Sequence, residues 1–159
     1  MNELLARIEA ATGPDAAIDM ALWWLSLPED TRASFGSYVN KSVAKSGTDI
    51  LAQFYDSSKP HCIANLAQRE KFTASLDAAV SLVNRMLCPG ILDMTVTWDT
   101  AQPPADPAAL IRWYPDGKSG KSWFAQTAGA PTAPLAICAV LVKALIASDL
   151  QKATHEVPK

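Results

Sequence analysis

The sequence predicts an α+β fold: N-terminal helices, then a three-stranded antiparallel sheet, then a long C-terminal helix packed as a sandwich. Three observations carry this. Apolar residues recur at helical spacing up to Leu87, the period changes to two from Ile91, and a continuous apolar helix pattern returns after Pro134. With 159 residues, the chain is the size of one domain with a sizeable core. Residues 1–148 are read as that domain, residues 28–71 as a helical insertion within it, and 149–159 as a polar, flexible tail.

The first helix runs from about Asn2 to Ala11, because Leu4, Leu5 and Ile8 lie on one face and Gly13-Pro14 stops it. Asp15 caps the second, in which Ile18, Ala21, Leu22 and Leu25 keep the same spacing until Pro28. Trp23 and Trp24 point about 100° apart on that helix. Both cannot face one core, and one is expected at an interface or beneath a loop. Within residues 28–71, Phe35, Tyr38, Val39 and Val43 suggest one helix and Ile50, Leu51, Phe54 and Tyr55 another, with Thr48 as a cap between them.

Thr73 is the expected N-cap of the next helix, whose apolar positions Leu76, Ala79, Val80, Val83 and Leu87 end at Pro89-Gly90. Leu92, Met94, Val96 and Trp98 then alternate with Asp93, Thr95, Thr97 and Asp99, the pattern of a half-buried strand. A Pro-rich loop over 102–107 leads to strands at Leu110–Tyr114 and Lys121–Gln126, joined by a tight turn. Thr132 caps the last helix, and Pro134 is tolerated in its first turn. Leu135, Ile137, Cys138, Leu141, Val142, Leu145 and Ile146 cover most of its circumference, so it belongs at the centre.

Composition narrows the function classes. Fourteen basic and sixteen acidic side chains leave a net charge of −2, which supplies no general field for duplex nucleic acid. Any anion must be caught locally. Three cysteines without a CxxC pair indicate neither a disulfide framework nor a zinc site. The opening residues lack the basic and apolar regions of a signal peptide, and the apolar stretch from Ala133 to Ala147 falls short of the ~20 residues of a membrane span. A cytoplasmic protein is expected.

Gly117-Lys118-Ser119-Gly120-Lys121-Ser122 ends like a phosphate loop, but Pro115 stands where its first glycine belongs and a strand follows, so it reads as a hairpin turn. His61 and His155 sit in no triad or metal spacing, and no base, nucleophile or metal cluster argues for an enzyme. No cofactor is expected. More informative are the two hydroxyl-capped helix starts, Phe72-Thr73-Ala74-Ser75 and Pro131-Thr132-Ala133-Pro134. A helix start offers unpaired N–H groups and a positive dipole end, which suit a phosphate. Trp113, Tyr114 and Trp123 offer rings on which bases stack, and Arg112, Lys118 and Lys121 offer charge; the alternative for Trp113 and Trp123 is a place in the core of the sheet.

Three stretches resemble a family of small phage and prophage proteins, the phage sandwich-domain proteins. They are the opening Leu4–Pro14 with Ile18–Ala21, the run Phe72–Ala79, and Thr132-Ala133-Pro134-Leu135-Ala136-Ile137-Cys138, with a strand ending at Trp98 and Trp123-Phe124-Ala125 between. The sequence departs from the pattern at Ser75, where Asp is common, and in its longer 28–71 and 102–107 segments. The resemblance implies a relative of viral nucleotide sponges, homo-oligomers, dimeric or tetrameric, that sequester the cyclic nucleotide messengers of bacterial antiviral defence without cleaving them. In that reading Phe72, Thr73, Ser75, Arg112, Trp113, Tyr114, Lys118, Lys121, Trp123 and Thr132 hold the ligand. The other expectation is an accessory protein that docks on a host or phage partner through Trp23 or Trp24 and the last helix.

Overall fold

The computed structural model describes residues 1–30, 32, 70–87, 90–98, 106–114 and 124–155. Expectations for the helices within residues 33–69, the proline loop, the 115–120 turn and the end of the tail lie outside the described residues. Among those described, the order is helix α1 (Asn2–Ala10), helix α2 (Ala16–Ser26), helix α3 (Leu76–Leu87), strands β1 (Ile91–Thr97), β2 (Ala108–Trp113) and β3 (Phe124–Gly129), and helix α4 (Ala133–His155). The α+β class and the antiparallel β1-β2-β3 meander agree with the sequence reading.

Helices α2, α3 and α4 each start on a side-chain cap. Asp15 caps α2 by accepting from the N–H groups of Ala17 and Ile18 at 2.7 and 3.1 Å. Thr132 Oγ1 accepts from the Leu135 N–H at 3.4 Å and caps α4. At α3 the expectation needs correcting: Ser75, not Thr73, is the cap, accepting from the Ala78 N–H at 3.3 Å. The helix therefore begins at Leu76, three residues after Thr73.

The sheet has one helix-facing side and one open side. Opposite residues of an antiparallel pair share a face, so Met94 and Val96 join Ile111 and Ala109, which join Gln126 and Ala128. Ala109, Ile111, Trp113 and Ala128 on this side are buried. A bulge between Ile91 and Asp93 shifts the phase of β1, so that Ile91 also meets Trp113 on that face. The other side carries Thr95, Thr97, Ala125 and Thr127, all exposed.

Helix α4 contacts β2, β3, α1 and α3. Its residues Leu135 to Val142 are buried without a break, as expected for a central helix. It also continues through His155, into the 149–159 stretch that the polar composition assigns to the tail. Ala133–Leu150 is thus long and apolar enough to cross a membrane by length and composition, but half of it is buried inside the domain, as in a core helix. A salt bridge from Lys143 to Glu9, 3.0 Å, ties it to α1.

Of the two places expected for one tryptophan of the α2 pair, an exposed interface is ruled out. Trp23 and Trp24 are both buried, along with every residue from Ile18 to Leu22. An α2 enclosed on more than one side needs no exposed tryptophan. The accessory-protein reading therefore loses the two side chains on which docking was to depend.

Candidate functional site

Among the described residues, the turn before α3 brings together the buried polar side chains. Phe72 and Thr73 are buried there, and Asp19 of α2 is buried beside them. Asp19 Oδ1 accepts the Thr73 N–H at 2.7 Å, while Thr73 Oγ1 accepts the Asp15 N–H at 3.0 Å. One threonine thus bonds to the start of α2 through both its backbone and its side chain. The Cys138 thiol of α4 donates to the Phe72 carbonyl at 3.7 Å.

The two carboxyls in this knot shift in opposite directions. Burial raises the Asp19 pKa, outweighing the hydrogen bonds from Thr73 that pull it down. Burial also pulls on Asp15, but there the N–H groups of Ile18 and Ala17 and the charge of Arg7, whose guanidinium lies 3.3 Å away, hold the pKa below its ordinary value. The Cys138 thiol is pushed up by burial and by the charge of Asp19, so it stays protonated. It is a packing and bonding group here, not a nucleophile.

Phe72 is closed to a base. Its ring is buried in the core, and the Arg85 guanidinium lies 5.8 Å from its centroid. Arg85 in turn bonds Glu70 at 2.8 Å, which folds the turn onto α3. Of the residues chosen at this helix start, Ser75 is half-buried and spends its hydroxyl on the cap, and Thr73 is spent on α2.

On the open face of the sheet, Arg112 stands opposite Asp93 and forms a two-pronged ion pair with it. The guanidinium chosen to meet phosphate is already paired with a carboxylate. Trp113 is 2% exposed, packs against Phe124 at 6.0 Å between ring centroids, and donates its indole N–H to Ser148 Oγ at 3.2 Å. It occupies the core place that was the alternative to stacking. Tyr114 is half-buried, and its backbone N–H extends the sheet to the Gly90 carbonyl at 2.6 Å. Lys118, Lys121 and Trp123 lie outside the described residues.

Among the described residues, the candidate positions do not converge within one chain. Trp113 reaches Ser148, whereas Thr132 lies sixteen residues earlier at the other end of α4, about 24 Å away at ~1.5 Å per residue. The Phe72 carbonyl meets α4 at Cys138, about 9 Å along the helix from Thr132.

One aromatic passed over as a ligand contact lies at the Thr132 end. Trp98 follows the last residue of β1 and is 58% exposed. Thr97 stands opposite Ala108, and Ala108 opposite Gly129, so the end of β1 lies two strand spacings, about 10 Å, from the point where β3 leads into α4. The signal in the sequence was its place: an aromatic at the end of an alternating run, just before a proline-rich loop. Among the described residues, no group of three or more His, Cys, Asp or Glu side chains is placed to hold a metal ion.

Comparison with models of protein families, with curated proteins and with solved structures gave no match. The phage-protein resemblance accordingly rests on its short motifs alone.

Proposed function

We propose that this protein captures a small phosphate-bearing nucleotide, a cyclic dinucleotide or related messenger of bacterial antiviral defence, and holds it without cleaving it. The protein is phage-encoded in this reading, acts in the host cytoplasm as a homo-oligomer, and works by mass action with no turnover. What supports it, beside the motif resemblance, is the pairing at one end of the molecule of the Thr132-capped start of α4 with the exposed ring of Trp98. A helix start favours phosphate and an exposed indole favours a base.

The revised ligand set is Thr132 and Trp98 from one end, with Tyr114 reaching the ligand from a second subunit; Lys118, Lys121 and Trp123, outside the described residues, stay in the set on the sequence alone. Phe72, Thr73 and Trp113 serve the fold instead. Calorimetry against cyclic dinucleotides, cyclic trinucleotides and cyclic ADP-ribose isomers tests the reading. Saturable binding of at least one, recovered intact afterwards, is expected. Absence of binding by all of them rejects capture, and recovery of a cleaved product rejects the non-catalytic part.

A further inference from the structure

The two edges of the sheet differ in how they meet solvent. β1 carries a bulge next to Asp93, two devices that discourage pairing with another strand. β3, Phe124-Ala125-Gln126-Thr127-Ala128-Gly129, pairs with β2 in regular register and has no charge and no proline. Its ladder can be phased from one bond. The Ala130 N–H donates to the Pro107 carbonyl at 3.1 Å, so even-numbered residues of β3 face β2, and Ala125, Thr127 and Gly129 direct their N–H and C=O groups outward. All three are exposed. For Gly129, which has no side chain, that exposure belongs to the backbone itself.

We infer that β3 pairs with β3 of a second copy of this chain, antiparallel and about a two-fold axis at Thr127, making one continuous sheet across the dimer. This register satisfies the strand most fully. Thr127 opposes Thr127 of the partner subunit, and Ala125 opposes Gly129 of the partner subunit on either side, each pair exchanging both backbone bonds. The helix-facing side fits as well. Phe124 and Gln126 are half-buried in one chain, and the positions opposite them are the small, already buried Ala130 of the partner subunit and Ala128 of the partner subunit, so no bulky side chain obstructs the pairing. Pairing about a two-fold axis closes on itself, covering the regular, uncharged β3 edge of both copies at once and leaving neither open to a further strand, which favours a second copy as the occupant.

The pairing specifies the oligomer that the nucleotide reading assumes, and its test needs no nucleotide, so either can fail alone. If both hold, the Tyr114 and Phe124 end of one subunit lies beside the Thr132 end of the other, which removes the separation along α4 described above.

Sedimentation of the full chain and of Thr127→Pro decides it. Proline is tolerated where an edge N–H faces outward, so β2 pairing survives while the bonds at the axis are lost. The wild type is expected at about twice the 17.0 kDa chain mass and the variant at the chain mass, with an unchanged helical spectrum. A monomeric wild type, or a folded variant that stays dimeric, overturns the inference. Amide exchange of the wild type decides the matter even where the variant does not fold. Ala125, Thr127 and Gly129 should be protected and lose protection on dilution, and exchange at unprotected or dilution-independent rates rejects the interface.

Discussion

The two hydroxyl-bearing helix starts look alike in sequence and have opposite fates. Before α3, Phe72 and Thr73 are buried and their polar groups reach α2 and α4. Before α4, Pro131 is exposed, and Thr132 is half-buried with its hydroxyl on its own helix. The Thr73 hydroxyl serves α2, and α3 itself starts three residues later on the Ser75 cap, whereas the Thr132 hydroxyl serves its own helix. The difference teaches that a hydroxyl near a helix start is a cap only where it stays at the surface; where it is buried, tertiary partners claim it and another residue caps the helix.

The largest break in that comparison is Phe72→Ala. Truncating a fully buried phenylalanine removes its transfer energy and leaves a cavity between α3 and its neighbours, at a cost of about 3 to 5 kcal/mol. Urea unfolding should show this as a lower midpoint with the slope unchanged. Were Phe72 a ligand-stacking residue instead, stability would hardly move and nucleotide binding would fall.

How much was legible follows from the same pair of sites. The alternation of β1, the Asp15 cap and the Thr132 cap were readable because the deciding contacts lie within a few residues. The choice between Thr73 and Ser75 was not, because Thr73 is claimed by Asp15 and Asp19, 58 and 54 residues earlier in the chain. That neither Trp23 nor Trp24 is exposed was not legible for a related reason: helical spacing gives the angle between two side chains but not the number of neighbours around the helix. Strand β3 runs on to Gly129, past the expected end at Gln126, because its pairing with β2 continues to Ala108, and a register is a property of two strands; Lys121 to Trp123 lie outside the described residues.

A smaller effect is expected at Asp19. Asp19→Ala strands the buried Thr73 N–H, at about 1 to 3 kcal/mol. The pH dependence separates it from Asp15. Asp19 has a raised pKa in the folded state, so burial of its charge costs stability at neutral pH, and that cost is relieved as pH falls through the raised value. Asp15 has a lowered pKa, so its contribution is present above the ordinary 3.8 and is lost as pH falls through the lowered value. Asp15→Asn should therefore flatten the acid limb of the stability curve, whereas Asp19→Asn should remove a gain on mild acidification. Chemical unfolding at a series of pH values reads both.

The smallest effect on the fold is expected at Trp98, and there the comparison turns from stability to binding. An indole 58% exposed at the end of an edge strand contributes little to the core, so Trp98→Ala should change stability by no more than about 0.5 kcal/mol. If a base stacks on it, the same change removes about 1 to 3 kcal/mol of affinity, a loss of roughly 5- to 150-fold by calorimetry. Thr132→Ala sharpens the point, because it weakens the α4 cap by about 1 kcal/mol whether or not a ligand binds. Only a ligand seated at this end makes the stability-silent tryptophan and the cap threonine weaken binding together. If Trp98→Ala leaves affinity intact while Tyr114→Ala destroys it, the ligand sits at the far end of α4, and the start of this helix is a cap and nothing more.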